Sequence, residues 1–225
     1  MNRAGVSRSL VVLDIAGDYY IAWGVNNGWE GNSMRNIVNL LFQANILKAI
    51  PRSGYHFLGV GKESVAEHSY GTAFIAYVMS QIEPDVDALK LISMCLVHDL
   101  PETKTGDLNY VQKKYVTADE DKAVADTTRN LPFGSSLAGL IREFNQGRSL
   151  EAKLARDADQ LALILELKIL ADIGYEPPNK WLSFALKRLE TKTGKKLGQN
   201  ILETDWDAWW LESYVDRPDR NIKPE

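Results

Sequence analysis

With 225 residues, 45% of them hydrophobic and 25% charged, the chain is long enough to bury one sizeable core, and one all-helical domain fits that length. A formal net charge of -4 gives no broad attraction for a phosphate backbone, so no polymeric nucleic-acid partner is expected. No apolar run approaches the roughly 18 residues of a membrane helix, which argues against a membrane partner, and the single Cys95, in the apolar run around Met94 and Val97, reads as an inert core thiol suited to a reducing cytoplasm.

The first 33 residues differ from the rest. Two short β-prone runs, V-V-L-D-I-A and Y-Y-I-A-W-G-V, are separated by Gly17-Asp18 and predict a hairpin or a loose extension. Asp14 interrupts the apolar stretch there and spoils a signal-peptide reading. Met34 opens a helix-period segment through Ile37, Leu40, Leu41, Ala44 and Leu47. At 64–82 the sequence begins S-V-A-E, a capping box of Ser64 and Glu67. His68 follows in the second turn, on an apolar stripe with Val65, Ile75, Val78, Met79 and Ile82 that is expected to face inward. Asp85 or Asp87 can cap the next helix. Its buried face is predicted to read Leu89, Ile92, Leu96 and then Asp99, and Pro101 marks its end.

Beyond Gly106 and Asp107, polar-capped helices are predicted at about 118–130, 135–145 and 149–173, the last stopped by Gly174. After Pro177-Pro178, two amphipathic pieces close the chain at about 179–191 and 205–215, the second carrying Trp206, Trp209 and Trp210. The expected organisation is an N-terminal extension over 1–33 and one helical unit over 34–225, with a core at about 34–175 and C-terminal helices over 176–225.

An adjacent His-Asp pair such as His98-Asp99 is a weak signal alone and reads equally as a surface dipeptide. Position raises it, because a carboxylate on an inward-facing helix end is costly to bury unless it meets a cation. Taken singly, His68 reads as a hydrogen-bonded core histidine or a ligand, and Asp159 as a salt-bridged helix position near Lys153 and Arg156 or a ligand. Taken together, two imidazoles and two carboxylates from three helices match mixed nitrogen and oxygen ligation of a divalent ion, with positions left for water and substrate.

The ordered motifs R-S-G-Y at 52–55, E-S-V-A-E-H-S at 63–69, L-V-H-D-L-P-E-T-K-T-G-D-L at 96–108 and E-A-K-L-A-R-D-A-D-Q-L at 151–161 carry a resemblance. Over roughly 34–175 the chain resembles the HD-domain phosphohydrolases, in the branch that includes the 5'-deoxynucleotidases. That resemblance implies an all-α HD-domain helical bundle and metal ligands at His68, His98, Asp99 and Asp159. Asp157 is a rival for the last place, but it points about 200° away on a helix.

The same resemblance implies that Glu102 and Asp107 face the attacking water and the scissile phosphate, with Arg52 gripping phosphate oxygens in its fork. Ser53, Tyr55 and Leu108 join Arg52 and Asp107 as substrate-binding positions. In some relatives an aromatic residue directly follows the arginine and crowds the sugar 2' position. Here Ser53 stands there and Tyr55 is the nearest aromatic, so the deoxy preference is open.

The implied function is metal-dependent hydrolysis of (deoxy)nucleoside 5'-monophosphates to nucleoside and phosphate. Hydrolysis of nucleoside polyphosphates or another phosphorylated metabolite, and a non-catalytic nucleotide-binding HD module, are the alternatives. The implied cofactor is a divalent ion (Mn, Co, Mg, Fe, Ni or Zn), with a second, weaker Mg or Mn near Glu102 and Asp107. Three histidines in all, the third being His56, are too few for the His-rich two-metal sites of other HD enzymes. A homodimer is expected from the habit of related enzymes and from the tryptophan-bearing C-terminal face.

Overall fold

The structure, a computed structural model, describes residues 8–15, 18–25 and 32–215. Strands β1 (Arg8–Ile15) and β2 (Asp18–Val25) pair antiparallel from Arg8 with Val25 to Ile15 with Asp18. The N-terminal runs thus form the hairpin alternative, while Gly17 itself lies outside the described residues. Among the described residues, the regular elements that follow are all helices, apart from one isolated bridge between Pro51 and Ser64. The helices are α1 (Asn32–Ile46), α2 (Tyr55–Leu58), α3 (Val65–Ile82), α4 (Ala88–Val97), α5 (Glu102–Thr105), α6 (Glu120–Thr128), α7 (Gly134–Gln146), α8 (Leu150–Asp172), α9 (Pro177–Leu186), α10 (Lys192–Glu203) and α11 (Ala208–Val215). The chain is an all-α helical bundle carrying one hairpin.

Local chemistry sets the helix starts. The capping box forms as the sequence predicts: Ser64 Oγ accepts from the Glu67 amide at 3.2 Å, and Glu67 Oε2 accepts from the Ser64 amide at 2.7 Å. Asp87, rather than Asp85, caps α4 by accepting from the Lys90 amide, and Ser149 caps α8 in the same way through Ala152.

Helix α8 is the axis of the bundle, packed by α3, α4, α7, α9 and α10. Its Leu154, Leu161, Ile164 and Leu167 are fully buried, and Ala152, Ala155 and Ala158 let neighbouring helices approach closely. A second cluster, of Leu47, Val65, Leu100, Val124, Leu137, Ala138 and Ile141, fills the space around the start of α3.

Two expectations are corrected. The buried face of α4 is Leu91, Met94 and Cys95, whereas Leu89 is 77% exposed and Leu96 57% exposed. Apolar residues occupy nearly every side of α4, so two registers satisfied the three- and four-residue spacing, and Asp99 lies past the helix end, in a turn. Ile82, at the end of the α3 stripe, is likewise exposed.

The second correction concerns the C-terminus, where three helices stand in place of two. The unpredicted α10 has a polar, glycine-bearing sequence, K-T-G-K-K-L-G-Q-N-I-L-E. Its glycines mark close packing: a Cβ on Gly194 would overlap the Asp157 carboxylate, and one on Gly198 would lie 2.6 Å from Leu189 Cδ1. Among the described residues, no helix is long and apolar enough to cross a membrane.

Candidate metal centre and active site

Three helices deliver the candidate ligands to one place. His68 lies early in α3, His98 closes α4, Asp99 follows in the turn, and Asp159 projects from the first half of α8. The start of α3 is tied to the preceding segment by two backbone bonds, Val65 N to Ile50 O and Arg52 N to Glu63 O, both 2.9 Å. The same brace that fixes His68 therefore fixes the backbone of Arg52.

Both imidazoles are buried, and His68 has no exposed surface. His98 Nδ1 lies 2.7 Å from the carbonyl oxygen of Cys95, an acceptor only, so Nδ1 carries the proton and donates. Phe144 packs against the ring, with centroids 4.7 Å apart. That bond turns Nε2 toward the site, where it stands 3.2 Å from Asp99 Oδ2 and 4.0 Å from Asp159 Oδ1. His68 Nε2 stands 2.8 Å from Asp159 Oδ1 and 4.0 Å from Asp99 Oδ2. A cation about 2.1 Å from each of several donors would hold them about 3.0–3.4 Å apart, within this observed spread.

Two of these atoms, His98 Nε2 and Asp99 Oδ2, are buried without a hydrogen-bond partner among the described residues. Lone pairs facing each other in a buried space need a proton or a metal ion between them. The metal-free electrostatics take the proton route. Burial works to lower the pKa of His98, but the charge of Asp99, 3.2 Å away, with Asp159 behind it, raises it to about 9. For Asp159, burial raises the carboxyl, and the hydrogen bond and charge of His68, with His98 and Arg52, outweigh it and hold it well below the usual carboxylate range. His68, His98 and Asp159 could hold a metal ion, their ligand atoms all lying within 4.8 Å of one another, and Asp99 Oδ2 lies beside them, 3.2 Å from His98 Nε2 and 4.0 Å from His68 Nε2.

Around this centre lie the other residues singled out in the sequence. Arg52 Nη1 is 3.5 Å from Asp99 Oδ2. Asp107 Oδ2 accepts from the Ser53 amide at 2.7 Å and from its hydroxyl at 3.4 Å, so Ser53, buried, serves to hold Asp107. Glu102 Oε2 is buried and has no hydrogen-bond partner among the described residues, and burial, then the charges of Asp99 and Asp107, push its carboxyl up to about 8. Leu108 is half-buried beside Asp107. Tyr55 is half-buried and donates through Oη to Glu63 Oε2 at 3.4 Å.

Two residues in this region had no role assigned from sequence. Glu63 brings Oε2 to 3.9 Å from His68 Nδ1, a proximity created by a turn that no spacing rule announces. Asp157 is fully buried but turned from the centre, accepting from the amides of Glu190 and Thr191 and from the Thr191 hydroxyl. Its partners belong to the start of α10, the helix the sequence did not announce.

Comparison with known proteins adds an independent line. A family model described as HD domain matches residues 44–200. The chain is similar to 5'-deoxynucleotidase HDDC2 of Bos taurus, 30% identical over 154 residues covering 66% of this chain and 74% of that protein. The Homo sapiens 5'-deoxynucleotidase HDDC2 is 28% identical over 155 residues, covering 66% and 75%. Among solved structures, a conserved hypothetical protein from Pyrococcus furiosus superposes with a TM-score of 0.64 at 27% identity, over 74% of this chain and 99% of that one.

Proposed function

The chain belongs to the HD-domain family, and from that premise we propose that it is a metal-dependent phosphohydrolase that converts (deoxy)nucleoside 5'-monophosphates to nucleoside and inorganic phosphate. The observation that carries the reading is the buried convergence of His68 Nε2, His98 Nε2, Asp99 Oδ2 and Asp159 Oδ1, with the Arg52 guanidinium 3.5 Å from Asp99. The HD-domain unit is assigned to 34–225, with 1–33 as an extension.

His68, His98, Asp99 and Asp159 would hold one divalent ion, which supplies positive charge that acidifies water and neutralises phosphoryl oxygen. Two nitrogens and two carboxylates suit Mn, Co, Mg, Fe, Ni or Zn, and Glu102 with Asp107 could hold a second, weaker Mg or Mn. Arg52 grips the phosphate with its fork and offsets the charge that repels a nucleophile. Asp107, fixed by Ser53, orients the attacking water and takes its proton as the new phosphorus–oxygen bond forms. Glu102, whose carboxyl stays protonated near neutral pH, gives its proton to the leaving 5'-oxygen as the phosphorus–oxygen bond breaks. These two roles can be exchanged. Tyr55 and Leu108 flank the sugar side, and with Ser53 in place of a crowding aromatic, ribonucleotides enter as well as deoxyribonucleotides.

The protein is read as cytoplasmic and homodimeric, with Trp206, Trp209 and Trp210 on the contact face. Their exposure of 40%, 80% and 42% supports that face. The test of the function is phosphate release from a panel of nucleoside monophosphates, nucleoside triphosphates and sugar phosphates with Mn, Co or Mg supplied. Release from 5'-monophosphates is expected. Turnover only of another phosphate ester would refute the nucleotide reading and leave the HD-type hydrolase.

A further inference from the structure

We propose that Glu63 is a positioning residue for His68, holding the outer face of its ring so that Nε2 faces the metal ion. The inference rests on the metal-centre reading above and adds a residue to it. His68 is completely buried, and its two nitrogens have different surroundings. Nε2 looks into the cluster of Asp159 and Asp99, whereas Nδ1 is buried with no hydrogen-bond partner among the described residues. A ring nitrogen orphaned in this way is costly to bury, so the structure should offer it an acceptor. Glu63 Oε2, 3.9 Å away on a side chain only 9% exposed, is placed to become that acceptor.

Glu63 is itself held from two sides. Its carbonyl oxygen accepts from the Arg52 amide at 2.9 Å, and its carboxylate accepts from Tyr55 Oη at 3.4 Å. The backbone bond fixes where the side chain starts, and turning the carboxylate to solvent would break its bond with Tyr55. When Nε2 gives its lone pair to a cation, the proton of the neutral ring must reside on Nδ1, and a movement of about 1 Å brings Nδ1–H to hydrogen-bond distance of Glu63. The carboxylate then fixes the tautomer and makes Nε2 a stronger donor. His98 solves the same problem with a backbone carbonyl, that of Cys95, so the two histidines are oriented by different means.

The test is calorimetric titration of the chelator-stripped protein with zinc, alongside its metal-free melting temperature. Glu63→Ala is expected to weaken zinc binding by about 10- to 100-fold. Glu63→Gln keeps an acceptor but not the charge and should fall between that variant and the native protein. In the zinc-loaded native protein, the Nδ1–H proton of His68 should give a slowly exchanging NMR signal that Glu63→Gln shifts and His68→Ala abolishes. Native affinity in Glu63→Ala, or an unmoved signal in Glu63→Gln, overturns the inference; if Glu63→Ala does not fold, the signal in Glu63→Gln decides. Native zinc affinity in His68→Ala would instead overturn the metal-centre reading itself.

Discussion

Asp157 and Asp159 lie two residues apart on α8, and their substitution should separate stability from metal binding. Asp157 accepts three hydrogen bonds, from Glu190 N at 2.7 Å, Thr191 N at 2.8 Å and Thr191 Oγ1 at 2.6 Å, and no part of it is exposed. Hydrogen bonds to a charged group contribute roughly 1.5–3 kcal/mol each. The three share one carboxylate and are not additive, so Asp157→Ala is expected to cost about 3–5 kcal/mol. For a chain of this size, at about 2–4 °C per kcal/mol, the melting temperature of the metal-free protein should fall by roughly 10 °C. Asp159 has His68 and Gln160 as its hydrogen-bond partners and is partly exposed. Asp159→Asn should therefore move that temperature far less while removing nearly all bound metal. Scanning fluorimetry in chelator, paired with elemental analysis of the purified proteins, gives both readouts. Loss of metal in Asp157→Ala without loss of stability, or full metal in Asp159→Asn, would refute the reasoning.

Further outcomes follow from the same geometry. Arg52→Ala should raise KM and lower kcat/KM with metal content unchanged, and a metal-depleted variant would contradict its assignment to the phosphate. Glu102→Gln should lower kcat by about 100-fold or more while substrate still binds, as steady-state kinetics and equilibrium binding would check. In the metal-free protein His98 holds a proton up to about pH 9, and an incoming cation must displace it. Metal affinity should thus rise with pH, by up to about tenfold per unit, and level off above that value; a flat profile in calorimetry between about pH 6 and 8 would count against the assignment.

The legible parts of the fold were those where one residue type does one local job. Ser64, Asp87 and Ser149 are caps because their side chains satisfy amides three residues on, and that chemistry is written in the sequence. The approach of His68, His98, Asp99 and Asp159 was suggested by polar residues set into apolar helices. The face of α4 was not legible, because Leu89 and Leu96 are as apolar as Leu91 and Met94, and only the neighbouring helices decide which are covered. Helix α10 was hidden by its glycines, which lower helix propensity locally and are there for contact with Asp157 and Leu189. Glu63 went unassigned because its significance depends on which ring nitrogen of His68 it meets.

The bridge between Pro51 and Ser64 closes the base of a loop. Everything from Ser53 to Lys62 hangs from this clasp, while Arg52 and Glu63 are bonded to each other across it at 2.9 Å. At the tip, Gly59 has a positive φ and open space beside it, so a change in loop length there is expected to be absorbed above the clasp, whereas Leu58 is buried in the core and Gly61 packs on Tyr55 and Leu170. The loop is thus a place where insertions, deletions or grafted segments can retune what is admitted without rebuilding the chemistry beneath it. A library of insertions at Gly59 should retain metal binding while diverging in substrate preference, whereas a single insertion between Ile50 and Arg52 should disable the centre.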